Sequence, residues 1–320
     1  MSGTTIAAFI FLILGFFSVS LSAYPDNWRF SKLVKDYYAN VSTEFISIGI
    51  TVLIIEKLNE RQQSKQLKAQ LIRELGSTDN GFALRALREL QVLNAHKNGS
   101  LNGVSLEKSN LRGANFESAS LQKVVLNSAD LSFSKLSSAN LSSAEMIKTQ
   151  LKGVECHEAN FTDAIMTDSN LSGAILRQCI FENSVLRNAI ILDAKLHGSN
   201  LKQADLIGAD LRNSNLSECL LVLAKFEESI LIGVNLVDAN LESAILLRAN
   251  LSEADLTRAN LTRANLRSSI LRGTNLEGSI LQGSELDGAR YDSQTRWPDN
   301  FDPKMAGAIY EAPSSNSTSI

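Results

Sequence analysis

Large apolar residues recur at every fifth position over most of the chain. The series runs from Leu101 to Tyr291 without an insertion, and 30 of its 39 positions are Leu. The other nine positions are nearly all apolar too: Phe116, Met146, Cys156, Phe161, Met166, Phe181, Ile191, Phe226 and Tyr291. Each of the 38 positions from 106 to 291 is preceded, two residues earlier, by a small side chain. This side chain is Ala at 20 positions and Ser at 10. A strict internal period of this kind predicts a repeat architecture.

A period of five matches neither regular secondary structure. In an α-helix, a step of five residues turns the marked side chain by about 140°, so the Leu residues would spread around the whole circumference. In a straight strand, an odd step sends successive Leu residues to opposite faces. If the chain instead turns a corner in every repeat, each Leu and each small residue can point inward. We therefore predict a coil whose turns pair through their backbone groups and stack about 4.7 to 4.9 Å apart.

The repeats resemble those of the pentapeptide-repeat family, whose pattern is A(D/N)LXX. Matches include ADL at 129–131, ANL at 139–141 and the run ADLTRANLTRANLRSS at 254–269. The resemblance covers 191 of the 320 residues. It implies an all-β solenoid, a right-handed quadrilateral β-helix with four repeats, or about 20 residues, in each coil. Residues 99–291 would then form about nine and a half coils.

The segment that follows the repeats is predicted to close the solenoid. The sequence YDSQTRWPDNFDP at 291–303 is similar to the closure seen after the repeats in many members of this family. A solenoid needs such a cover because its last coil otherwise exposes unpaired backbone groups and apolar side chains. We predict a C-terminal cap at 292–311, in which Trp297 and Phe301 cover the last coil, and a disordered tail at 312–320.

Two apolar segments precede the repeats. Residues 6–23 are 18 positions without a charge, a length that crosses the hydrocarbon core of a membrane as a helix. The second run, 45–55, would alone suit a buried core helix, but it reaches about 19 residues when it is extended back to 37. We predict a transmembrane hairpin within residues 1–56, with spans at about 6–23 and 37–55. A cleaved secretory signal peptide is the alternative for the first run, although its amino end lacks the usual positive charge.

Residues 57–98 are predicted to form a charged juxtamembrane helix that stops at Gly76 and a short second helix capped within 77–79. Five Lys and Arg residues follow the second apolar run, at 57–73, against three in the connection between the runs. This bias favours a cytoplasmic repeat domain at a bacterial inner membrane. The order of hairpin, charged helix, short helix and repeats likewise resembles membrane-anchored bacterial members of the family. Secretion after cleavage of a signal peptide is the alternative location.

Composition and motifs exclude several classes of function. The chain carries 31 basic and 34 acidic residues, and residues 101–291 carry 18 against 22, a net charge of −4. Such a balance predicts no direct binding of nucleic acid. Three scattered cysteines form neither a disulfide framework nor a zinc motif, so no metal or cofactor is expected. No nucleophile elbow, phosphate-binding glycine loop or HExxH motif is present, which predicts that the protein is not an enzyme.

Side chains one coil apart should form outward columns. Ile190 with Leu192, and Ile230 with Ile232, recur two coils apart, which places both apolar pairs on one face. They are either scattered surface residues or an interaction face for a homodimer or another protein partner. The Asn and Asp residues before each Leu are expected to be outward turn residues whose side chains bond local backbone groups.

The cysteines and histidines are predicted to have structural or surface roles. Cys179 and Cys219 occupy the small inward position two coils apart, so we expect two buried small side chains and no disulfide. His157 and His197 share an outward column at the same spacing, about 9 to 10 Å apart, which is too far to share a metal ion.

These features favour a membrane-anchored, non-catalytic scaffold or protein-interaction module. Its partners would be membrane lipid, through the hairpin, and an unidentified protein. Some members of the family resemble DNA in shape and charge and protect DNA gyrase from quinolone drugs, so a DNA mimic is the alternative function. Mimicry requires a strongly anionic surface, whereas four arginines lie along one region of the repeats: Arg258, Arg263, Arg267 and Arg272.

Overall fold

The computed structural model describes residues 3–22 and 31–312, with side chains described for 6–17 and 41–312. Its helices are α1 (Gly3–Ser22), α2 (Ser31–Leu75) and α3 (Asn80–Val92), and two short strands, β1 (Arg290–Tyr291) and β2 (Ile309–Tyr310), lie near the carboxyl end. The repeats between α3 and β1 form a coiled β-solenoid. The chain divides into two compact units, of which the first ends at Gln70 and the second begins at Leu71.

In the first unit, α1 and α2 pack as an antiparallel pair. Gly15 of α1 lies against Ile46, and Gly49 of α2 lies against Leu12. A Cβ atom at Gly15 would be 2.6 Å from a side-chain carbon of Ile46, and one at Gly49 would be 2.9 Å from a side-chain carbon of Leu12. The two glycines therefore allow the helix backbones to approach closely, as small residues do in helix pairs.

Many large apolar side chains of this helix pair face outward. More than two fifths of the side chain is exposed at Ile6, Phe9, Ile10, Ile13, Leu14, Phe16 and Phe17 of α1, and at Ile48, Ile50, Ile54 and Ile55 of α2. The second helix continues without a break from the second predicted span through the charged segment. Within the part of the chain that the structure describes, no helix is both long enough and apolar enough to cross a membrane. The predicted spans, 6–23 and 37–55, extend into 18–23 and 37–40, where side chains lie outside the described residues.

In the second unit, α3 covers the first coil of the solenoid. The helix starts where the capping residues predicted it, because Asp79 accepts a hydrogen bond from the Phe82 backbone N–H at 3.0 Å. Its buried face joins the core of the first coils through Ala83, Ala86, Leu87 and Leu90. Gln91 donates to the Asn115 carbonyl at 2.7 Å. The helix is thus the amino-terminal cap, a role that the sequence analysis did not assign to it.

Each repeat contributes one bridging residue whose parallel partner lies four repeats later. Ser105 pairs with Val125, Val125 with Glu145, and the same step continues through the repeats, so that four columns of bridges run along the solenoid. The predicted four-sided coil is confirmed. Phe161 and Phe181, one coil apart, stack with 4.8 Å between ring centroids and 3° between ring planes. This distance agrees with the coil spacing predicted from strand geometry.

The interior is filled by the repeating side chains. All 39 positions of the five-residue series are buried, and the most exposed of them, Leu281, shows 9% of its surface. Several buried hydroxyls at the small positions are paired with carbonyls of the previous coil. For example, Ser199 donates to the Leu176 carbonyl at 2.6 Å, and Thr149 donates to the Leu126 carbonyl at 2.8 Å.

The corners of the coil are tight turns with one left-handed residue. Ala114 donates to the Leu111 carbonyl at 3.0 Å across such a turn, and Gly113, the second of the two residues between them, has a φ of 69°. Most corners hold a non-glycine residue, which costs roughly 1 to 2 kcal/mol in the left-handed region. Where an Asn or Asp precedes the Leu, its side chain stabilises the turn: Asn140, for example, accepts from the Ser142 N–H at 3.0 Å. The predicted role of the Asn and Asp residues is confirmed.

The carboxyl end is closed by aromatic residues and one added rung. The Trp297 ring lies edge-on to Tyr291 at 5.4 Å between centroids and stacks on Phe301 at 5.3 Å. Both Trp297 and Phe301 pack against the core, where the sequence analysis placed them. In addition, β2 pairs in parallel with β1, with Ile309 opposite Arg290. The predicted tail lies outside the described residues from 313 onward.

Candidate interaction surfaces of the solenoid

The predicted apolar face is a column in which apolar and polar residues alternate. Ile190 bridges Asp210, and Asp210 bridges Ile230, so the two isoleucines lie on one face two coils apart. Ile190 is 41% exposed, whereas Ile230 and the neighbouring Leu192 and Ile232 are partly buried. Between them, the Asp210 carboxylate pairs with Arg212 at 2.6 Å. The structure therefore brings the four residues to one face but separates the two pairs by an ion pair.

The arginines near the carboxyl end are paired with acids of neighbouring coils. Arg258 binds Asp238 through two hydrogen bonds of 2.7 and 2.5 Å, and this contact lowers the pKa of Asp238. Arg263 likewise pairs with Glu242, and Arg267 lies 3.3 Å from Glu285. These arginines are therefore neutralised locally. Their positive charge is evident from the sequence, but their pairing is not, because the acids lie about one coil away along the chain.

The cysteines are interior residues, as predicted, and offer no reactive thiolate. Burial raises the pKa of Cys179 and of Cys219 to about 12 and also raises that of Cys156. The Cys219 thiol donates to the Leu196 carbonyl at 3.0 Å, and Cys179 makes the equivalent bond to the Cys156 carbonyl. All three remain protonated thiols near neutral pH and act as small packing residues.

The histidines differ in their surroundings. His197 lies on the outward face, with Nδ1 2.9 Å from the Ser217 hydroxyl and Nε2 4.0 Å from a Glu218 oxygen. His96, which the sequence analysis did not single out, is buried near the first coil, and this burial lowers its pKa. Among the described residues, no group of three or more His, Cys, Asp and Glu side chains is arranged to hold a metal ion.

A polar groove of about 520 Å³ crosses three successive coils around His197. Its lining residues are Arg177, Asp193, Ala194, Lys195, His197, Asn213 and Asn215. Only His197 was named in the sequence analysis. The other residues share no sequence motif, because they come from three coils and meet only through the register of the stacked coils.

Comparison with known proteins agrees with the coil geometry. The family model for pentapeptide repeats matches eight copies between residues 100 and 290. Among solved structures, HetL from the cyanobacterium Nostoc sp. strain PCC 7120, a pentapeptide repeat protein involved in heterocyst differentiation regulation, is 32% identical, with a TM-score of 0.50. That match covers 63% of this chain and 94% of HetL. No curated protein sequence matches the chain.

Two other solved structures are similar over shorter parts of the chain. Rfr23 from the cyanobacterium Cyanothece 51142 is 30% identical over 42% of this chain and 90% of its own, with a TM-score of 0.28. QnrB1, a plasmid-mediated fluoroquinolone resistance protein, is 14% identical over 55% of this chain and 91% of its own, with a TM-score of 0.48.

Proposed function

The chain belongs to the pentapeptide-repeat family, and on this basis we propose that it is a non-catalytic scaffold that binds a protein partner through the outward faces of its solenoid. The α1–α2 pair would tether it to the cytoplasmic membrane of a bacterium, with the solenoid on the cytoplasmic side. The observation that carries the binding role is the filled interior, which leaves recognition to outward side chains. HetL is an example of a similar protein with a regulatory role.

The chemistry of the described side chains supports a binding role over catalysis. A general base or nucleophile needs a partner within hydrogen-bond reach and a suitably shifted pKa. The cysteines are instead buried as neutral thiols, and most coil arginines are engaged by acids. Regularly spaced columns of exposed side chains provide a long surface for a partner, as in other solenoids.

The tether is supported by the apolar surface of the helix pair. Phe16 and Phe17 are each about two thirds exposed, and Ile13 is 63% exposed. Exposed apolar surface of this extent marks a contact with lipid or protein. The uncharged run at 6–23 and the excess of basic residues after the second run support lipid and a cytoplasmic solenoid.

The ion-paired surface favours the scaffold over the DNA mimic. A mimic must present rows of negative charge that a DNA-binding protein reads as phosphates. In this solenoid Asp238, Glu228 and Glu242 are each neutralised by an arginine. We therefore retain protein binding as the proposed function and expect no effect of the protein on DNA supercoiling by gyrase.

The proposal is tested in cells by photo-crosslinking. The full-length chain is tagged at Ile320, and a photoreactive amino acid replaces one outward residue of each column: Ile190, Leu220, Ile165 or Lys135. After irradiation, membranes are sedimented, and the tagged chain is followed by gel mobility. We expect the chain in the membrane fraction and a discrete protein adduct from some columns but not from others, because a partner covers one side of a solenoid.

The membrane tether and the binding of a protein partner are contradicted by different results. A chain that remains in the supernatant without detergent would contradict the tether. The absence of an adduct from all four columns, with the chain folded and present in the membrane fraction, would contradict the binding role. Irradiation of the chain without the photoreactive residue is the control for non-specific products.

A further inference from the structure

The groove around His197 contains an arginine without a partner, next to a lysine without one. Among the arginines of the described coils, Arg177 alone has neither an acid within 4.0 Å nor an aromatic ring beneath it. Arg187, for instance, pairs with Asp205 at 2.7 Å, and Arg112 stacks on Phe133 at 4.6 Å. Lys195, on the next coil, likewise has no acid within that distance in the described chain. The groove therefore presents two available positive charges.

Hydrogen bonds within the groove fix the orientation of the Asn215 amide. The Asn215 Oδ1 atom accepts from the Ser217 N–H at 2.9 Å and from the Ser217 hydroxyl at 2.7 Å. Because the hydroxyl proton is used there, the Ser217 oxygen must accept from His197 Nδ1, 2.9 Å away. This arrangement leaves the Asn215 amide nitrogen as a donor for a ligand, whereas Nε2 of the neutral His197 ring is an acceptor and lies 4.0 Å from Glu218.

One acid limits what the groove can hold. Asp193 lines the same groove as Arg177 and Lys195, so the ligand should offer a hydrogen-bond donor beside its negative group. A peptide that carries Asp or Glu satisfies both demands, since its side-chain carboxylate can reach the cations while its backbone N–H donates to Asp193. Three coils span about 9 to 10 Å, the length of about three extended residues.

We propose that the groove formed by Arg177, Asp193, Lys195, His197 and Asn215 binds an acidic segment of a protein partner. This inference rests on the proposed function, because it assigns the chemistry of one contact to the partner of the scaffold. Arg177 and Lys195 bind the carboxylate, Asn215 donates a further hydrogen bond, and Asp193 fixes the direction of the peptide backbone. The face differs from the apolar column of Ile190 and Ile230.

The test uses the full-length chain in a non-ionic detergent and a fluorescein-labelled hexaglutamate peptide. Fluorescence anisotropy gives the dissociation constant for the parent chain and two variants. The groove variant combines Arg177→Gln with Lys195→Gln. The control variant combines Lys123→Gln with Lys225→Gln, which removes the same charge from exposed positions outside the groove. We expect the groove variant to bind roughly tenfold more weakly and the control to differ by less than about twofold.

Three outcomes would overturn the inference. The first is equal weakening in both variants, which would reduce the effect to overall charge. The second is displacement of the peptide by free glutamate or inorganic phosphate at concentrations equal to that of the peptide. The third is equal binding of a hexaglutamine peptide. If hexaglutamate does not bind while outward photo-crosslinkers still give a protein adduct in cells, the groove assignment fails and the scaffold function stands.

Discussion

Replacing Phe161 by Ala should lower the free energy of unfolding by about 3 to 5 kcal/mol. The ring is fully buried and stacks on Phe181 in the next coil with 4.8 Å between centroids. Its removal leaves a cavity that the neighbouring coils cannot fill, because their backbones are held at the strand spacing by bridges on four sides. Urea unfolding followed by circular dichroism measures the change.

A matched phenylalanine on the surface provides the control. Phe133 is 50% exposed and occupies a corner with a φ of 59°. Its ring contacts Arg112, whose guanidinium carbon lies 4.6 Å from the ring centroid, and lies against Gly153 of the next coil. Phe133→Ala should therefore cost about 1 kcal/mol or less. Equal destabilisation by the two substitutions would show that the interior is not organised by inward residues.

Removing a single residue should harm the solenoid more than removing five. Deletion of Ala209 places Leu211 only four residues after Leu206, so one side of a coil loses its small inward residue and its corner geometry. We expect a loss of about 3 kcal/mol or more in the free energy of unfolding. Deletion of 206–210 removes one whole repeat and restores the spacing, because Leu211 then follows Leu201 by five positions.

The five-residue deletion tests whether the inward series alone is sufficient for folding. It moves later residues by one side of the coil but keeps every large apolar side chain inward. We therefore expect a folded chain with a single cooperative transition, measured by the same urea unfolding. If the five-residue deletion is as destabilising as the loss of Ala209, the outward columns rather than the inward series determine the fold.

Much of the second unit could be predicted from the sequence, because the five-residue period is compatible with a coil that turns a corner in every repeat and with neither regular secondary structure. Neither a helix nor a strand keeps Leu206 and Leu211 on one side, so the corner in every repeat is forced. The left-handed conformation at corner residues such as Asp238 was not predicted, since non-glycine residues rarely adopt it. The capping role of α3 was also missed, because its Leu and Ala spacing is typical of any packed helix.

The outward surface was harder to predict, because its contacts depend on register. The alternation of Ile190, Asp210 and Ile230 is visible only when each coil is compared with the next one, whereas the apolar pairs were compared two coils apart. Arg177 and Lys195 are isolated cations in the sequence. Their lack of acidic partners becomes evident only when each coil is placed beside its neighbours.

Both inward positions of the repeat are sealed from solvent, so that function is confined to outward side chains. The natural cysteines probe both positions: Cys156 replaces a Leu, and Cys179 and Cys219 replace the small residue. The cysteine thiols are treated with N-ethylmaleimide at several pH values from about pH 7 to pH 9, and the number of labels is read from the mass of the intact chain. We predict no label on the folded chain, since burial raises the pKa of Cys179 and Cys219 to about 12, and three labels after unfolding in guanidinium. Rapid labelling of the folded chain would show that the inward positions are open to solvent.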